Sequence, residues 1–351
     1  MKNEKFVYAI SGFILLILLV SGCIQNGIIE KRTNVKPPEQ PSSGPGGANY
    51  SHNNVSEYVY GEGSDQYWIF EPANPKPKFA PIIVFNHGWG VVIPDTYRAW
   101  INHIVKRGNI VIYPRYQTDL NTPGSEFTPN AIQAVKDAIN RLQNESENHV
   151  RPELDKFAIV GHSAGGVISA QMAALAKENG LPEPKAVMCV EPGRESLDKS
   201  IKLGIPYEDL TKIPKYTLLL IVVADRDSTV GKVEGKRIFK DTPQIPTSSK
   251  NFIVMVSDVH GDPDLIANHS APVAIEDKNG KFYYVDALDY YGFWKLFDAL
   301  CDAAFYNKNR EYALGNTPQQ RFMGKWSDGT PVKELKVYTD YYTIEKTVSD
   351  F

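Results

Sequence analysis

The stretch from Lys156 to Glu178, KFAIVGHSAGGVISAQMAALAKE, limits what this chain can fold into more than any other. Phe157 to Val160 is a short apolar run, Gly161-His162-Ser163-Ala164-Gly165 is a turn of small residues, and an alanine-rich helical pattern starts at Ala164. The reading is strand, sharp turn, helix. Glycines two residues before and two after the serine keep Cβ atoms away from the crossing strand and helix. Ser163 is then pushed out of the backbone at a helix N-terminus, where free N–H groups favour a developing anion. The pattern is that of a nucleophile elbow.

The remaining pattern supplies a setting for such a turn. Val55 to Tyr60 and Gln66 to Phe70 alternate in character around a Gly-rich turn and predict a hairpin. The run at 81–85 is apolar throughout, and those at 109–113, 157–160, 186–190, 216–223 and 251–256 are predominantly apolar, as strands covered on both faces are. Helical spacing lies between them: 96–107, from Thr128-Pro129 onward with Ile132, Val135, Ile139 and Leu142, and about 286–305. Strands alternating with helices predict an α/β fold, a mostly parallel central sheet with helices on both faces. Such sheets carry their sites at the C-terminal ends of strands.

Ahead of the fold, Lys2 and Lys5 precede an apolar run from Phe6 to Val20, and Val20-Ser21-Gly22-Cys23 follows. This resembles a lipobox: residues 1–22 are expected to be a signal peptide and Cys23 to carry a lipid, the alternative being an uncleaved signal anchor. Either way the chain is expected to be exported and held at the outer face of the cell membrane. Residues 23–49, rich in Pro, Gly and Ser, are expected to be a flexible tether. The domain itself is expected over 50–306, with 194–215 as a short cap and 307–351 as a C-terminal extension of the same domain. A net charge of −3 leaves no electrostatic footprint for nucleic acid. Cys189 and Cys301 lie in apolar stripes and read as core residues.

A serine hydroxyl needs a base, and the base needs a carboxylate to orient it. Of the seven histidines, His52 falls at the tether's end, His103 in a helix, His149 in a polar loop and His162 inside the elbow. His260 follows the 251–256 strand by four residues and is the preferred base; His269, nine residues on, is the alternative. For the acid, Asp225 and Asp227 both lie just past the 216–223 strand, with Asp227 preferred, and Asp258 is expected to cap its own loop. A metal site built from His260-Gly261-Asp262-Pro263-Asp264 and His269 matches no metal spacing. No cofactor and no metal is expected.

With these residues in view the chain resembles the α/β-hydrolases: Gly161-His162-Ser163-Ala164-Gly165 as elbow, His87-Gly88-Trp89-Gly90 after an early strand as oxyanion loop, and the order Ser, Asp, His. Ala224 to Val230 is similar to that family's G-x-x-D-x-x-V around the acid, with Ala in place of the first Gly. Within the superfamily the spacing resembles the polyesterase, lipase and cutinase group and the dienelactone-hydrolase-like proteins. The resemblance implies acyl transfer from a small or polymeric carboxylic ester, with the oxyanion met by the N–H groups of Trp89 and Ala164. A peptidase or amidase on the same fold and a non-catalytic surface-tethered binding protein are the alternatives. Tyr97, Tyr116 and Tyr207 are candidates for an acyl site, against plain packing.

Overall fold

Strands whose every residue is apolar need cover on both sides, and the fold provides it. The computed structural model describes residues 34–144, 149–276, 282–283 and 285–350. The expected signal segment and Cys23 lie outside the described residues. Among the described residues no helix is long and apolar enough to cross a membrane.

A nine-stranded sheet runs in the order β1-β2-β4-β3-β5-β6-β7-β8-β11. Its strands are β1 Asn54–Tyr60, β2 Tyr67–Ala73, β3 Phe79–Asn86, β4 Ile110–Pro114, β5 Arg151–His162, β6 Ala186–Val190, β7 Leu218–Ala224, β8 Lys250–Met255 and β11 Lys336–Tyr338. β9 Ile275–Glu276 and β10 Phe282–Tyr283 pair separately. From β4 to β8 all neighbours are parallel, while β1, β2 and β11 join antiparallel at the two edges. The sheet is thus mostly parallel; an α-helix lies in each of the connections β3–β4, β4–β5, β5–β6 and β7–β8, while β6–β7 is joined by irregular chain with one 3-10 turn.

Alternate residues of one strand feed two separate cores. Ile82 and Val84 of β3 face α2 Gly124–Asn144, α3 Ala164–Leu175 and α4 Val233–Lys240. Ile83 and Phe85 face α1 Arg98–Lys106 and α5 Trp294–Tyr306. Cys189 and Cys301 are free and buried, one in each core. α2 begins a turn earlier than the Thr128-Pro129 signal predicts, so Pro129 lies inside it. α5 is entered through one π-helical turn, Leu288–Phe293.

Two terminal segments are bound more closely than expected. Residues 35–49, expected as the second half of a tether, lie along the domain: Gly46 N–H donates to the buried Asp298 carboxylate at 2.7 Å, and Lys36 and Ser327 exchange backbone-anchored bonds of 2.9 and 3.0 Å. Hydrogen bonds of the backbone, with only a few apolar contacts such as that of Val35, hold this segment, which is why composition pointed to a tether. At the other end β11 extends the sheet past β8, and the helix α6 Tyr341–Thr347 buries Ile344 in the α2–α4 core. The described residues from Val35 onward form one compact unit.

Candidate active site

One residue separates β5, which ends at His162, from α3, which starts at Ala164. That residue, Ser163, has φ 57° and ψ −124°, a conformation an L-residue adopts only when its surroundings enforce it. They do so through small residues. A Cβ on Gly161 would fall 2.2 Å from the Gly165 carbonyl oxygen, and one on Gly165 would fall 2.1 Å from that of Asn86. The Ser163 N–H donates to the Val190 carbonyl at 2.9 Å, tying the turn to the end of β6.

Ser163 Oγ is 3.0 Å from His269 Nε2, and His269 Nδ1 is 2.8 Å from Asp227 Oδ2. Asp227 is buried at the loop after β7; its other oxygen accepts from the Thr229 and Val230 N–H groups at 2.8 and 3.0 Å. Burial alone would raise the Asp227 carboxyl, but the His269 hydrogen bond and charge, with those two N–H groups, hold it below the usual range.

The base expected from sequence, His260, is corrected. Its Nε2 bonds Asp328 at 2.8 Å in an exposed pair, and its ring lies against Trp326. An antiparallel bridge explains why: Asp258 and Leu265 exchange backbone hydrogen bonds of 2.8 and 2.9 Å, so residues 259–264 form an outward excursion. His260 sits on that excursion, whereas His269 follows the return. Asp258 caps the excursion at the His260 N–H and holds Trp326 Nε1 at 3.0 Å. Asp225, the other candidate acid, grips Ser257 through Oγ at 2.6 Å and N–H at 3.0 Å, joining the ends of β7 and β8.

The loop after β3 abuts the serine: a Cβ on Gly88 would lie 3.4 Å from Ser163 Cβ. Gly88 N–H donates to Tyr97 Oη at 3.2 Å and Gly90 N–H to Gln117 Oε1 at 3.1 Å. Among the described residues, neither the Trp89 N–H nor the Ala164 N–H has a protein acceptor. His87 does not face the serine. It stacks on Tyr116 at 3.9 Å, and burial pushes its pKa down to about 4. Tyr97 and Tyr116 are fully buried, so these two aromatics are packing, while Tyr207 is exposed and lies over the Arg194 guanidinium.

Sequence reasoning missed Glu191. It is fully buried at φ 44°, with Oε2 3.3 Å from His162 Nε2 and 3.4 Å from His269 Nδ1. Burial, then the nearby Asp227 charge, pushes its carboxyl well above the usual range. A charged residue directly after the all-apolar β6 was the available signal, since strand ends in such sheets carry sites. His162, inside the elbow, bonds Tyr97 Oη at 2.8 Å, and burial lowers its pKa well below the ordinary value.

A mostly parallel sheet, a strained serine between β5 and α3 and polar loops gathered at the strands' C-terminal ends define the α/β-hydrolase fold. Residues 63–202 match the family described as Chlorophyllase, an ester-hydrolase family of this fold. That stretch runs from just before β2 past β6 and contains the Gly88–Trp89 loop, Ser163 and Glu191. Asp227 and His269 lie beyond it. No curated protein matches the chain.

Proposed function

We propose that this chain is a serine hydrolase that cleaves carboxylic esters through an acyl-enzyme. The observation that carries the reading is the continuous contact from Ser163 Oγ through His269 to Asp227, at 3.0 and 2.8 Å. His269 Nε2 takes the Ser163 proton as Oγ attacks the ester carbonyl. Asp227 keeps the Nδ1–H tautomer and stabilises the imidazolium that forms. The carbonyl oxygen, now an anion, is met by the Trp89 and Ala164 N–H groups, each such donor contributing roughly 3 kcal/mol to the transition state. His269 then gives its proton to the departing alcohol, and water, activated by the same nitrogen, releases the acid.

A cleft of about 490 Å³ supports a place for the substrate. It is lined by Gly193, Arg194, Leu197, Ile205, Tyr207 and Val230. Gly193 N–H reaches the Ser163 carbonyl at 3.3 Å and Val230 N–H reaches Asp227, so these two lining residues set the cleft beside the triad, while Arg194, Leu197, Ile205 and Tyr207 come from the segment expected as a cap.

The test is labelling by a fluorophosphonate probe, followed by p-nitrophenyl esters of increasing acyl length and matched anilides. Labelling and ester turnover that vanish in Ser163→Ala are expected. Anilide turnover matching that of the esters would favour an amidase, and no labelling would favour a binding protein. Export and attachment through Cys23 belong to the same proposal. Mass spectrometry of the mature N-terminal peptide reads the attachment, and an intact N-terminus with an unmodified Cys23 would remove it; protease accessibility on whole cells reads export, and a protected chain would remove that.

A further inference from the structure

Behind the His269 imidazole, on the side away from Ser163, three ligand-type atoms converge. His162 Nε2 and Glu191 Oε2 are 3.3 Å apart, Glu191 Oε2 and His269 Nδ1 are 3.4 Å apart, and one donor atom from each residue lies within 4.8 Å of the others. The first is a long hydrogen bond and the second lies beyond the usual N–H···O range. They suit the edges of a tetrahedron whose centre is about 2.0–2.1 Å from each donor. Glu191 is fully buried and its Oε1 has no hydrogen-bond partner among the described residues. A buried carboxylate oxygen without a partner is costly, and a cation is one way to satisfy it.

The surroundings are organised as ligand supports. Tyr97 Oη engages His162 Nδ1 at 2.8 Å, which turns Nε2 toward Glu191; a metal-binding imidazole ordinarily has its second nitrogen held in this way. Asp227 Oδ2, 2.8 Å from His269 Nδ1, lies outside this three-residue cluster, so solvent would supply the fourth ligand. Two imidazoles with carboxylate oxygens suit Zn²⁺ or Co²⁺ better than Mg²⁺ or Ca²⁺.

We propose that His162, Glu191 and His269 bind a divalent ion of the zinc class and that its binding switches hydrolysis off; the second half rests on the ester-hydrolase reading above. The ion takes the Nδ1 lone pair of His269 and an oxygen of Glu191, whose proton is released to solvent on binding. The proton that Nδ1 carried is relocated to Nε2, so the neutral ring no longer accepts from Ser163 and the base is lost. Chelation reverses the change, because no covalent bond is made to the ring.

Tag-free protein is titrated with Co²⁺ and its visible absorption followed, then with Zn²⁺ during p-nitrophenyl butyrate hydrolysis, each variant being compared with its own metal-free rate. One equivalent of Co²⁺ is expected to give a tetrahedral band, and Zn²⁺ to inhibit saturably and reversibly with EDTA. Glu191→Gln and His162→Gln are each expected to weaken both effects at least about tenfold, whereas His260→Ala leaves them unchanged. Zinc sensitivity kept in both of the first two variants, or no cobalt band in the parent, overturns the proposal. The cobalt band needs no turnover, so its outcome stands apart from that of the hydrolase reading.

Discussion

Replacing His269 and His260 separately distinguishes the two histidines. His269→Ala removes the acceptor 3.0 Å from Ser163 Oγ and with it the only base in contact with that hydroxyl among the described residues. Loss of a triad member costs about 10⁴-fold or more in kcat/KM, equivalent to roughly 5.5 kcal/mol of transition-state stabilisation. The fold survives the change. Asp227 loses one of three hydrogen bonds but keeps those from Thr229 and Val230, so the penalty is about 1–3 kcal/mol against a stability of about 5–15 kcal/mol. His260→Ala removes only an exposed pair with Asp328, and turnover within about twofold of the parent is expected. Initial rates on p-nitrophenyl butyrate at pH 8, with circular dichroism melts of each variant, make the comparison. A folded His269→Ala retaining more than about a tenth of parental kcat/KM, or a His260→Ala as inactive as it, would refute the reasoning.

Three further outcomes are expected. Gly165→Ala forces a Cβ to within 2.4 Å of two backbone carbonyl oxygens, and it is expected to cost about 3 kcal/mol or more, read as a lowered melting temperature; unchanged melting counts against the packing described. Glu191 has its carboxyl raised by burial, so from about pH 4.3 upward the folded chain holds a proton the unfolded chain releases, and stability falls as pH rises toward the folded value. The melting-temperature advantage of Glu191→Gln over the parent is therefore expected to grow from pH 5 to pH 8, and a constant difference contradicts it. Truncation after Lys333 strips β11 from β8, leaving a bare sheet edge; size-exclusion chromatography is expected to show association, and a stable monomer argues otherwise.

The fold was legible because its strongest signals are local. Runs such as 81–85 and 216–223 have no polar alternation, and only a sheet covered on both faces, with Ile83 and Ile82 in different cores, accommodates them. The elbow was legible for the same reason: its glycines are required by contacts within a few residues. Asp227 could be read from its distance past a strand end. The contact of His269 with Ser163 could not, because the Asp258–Leu265 bridge is set by tertiary structure and carries the nearer histidine, His260, away from the serine. The segment at 35–49 escaped for a related reason. Its partners, Asp298 and Ser327, lie more than 250 residues away in sequence, and composition carries no trace of them.

That bridge also bears on how firmly His269 is held. As a polymer, the chain from Met255 to His269 is a long leash whose end would sample many positions, and fixing it would cost loop entropy. Closing Asp258 onto Leu265 removes residues 259–264 from the leash. The imidazole then hangs from two short runs pinned at their junction. Its entropy is surrendered during folding, so the encounter with substrate finds the ring already in place.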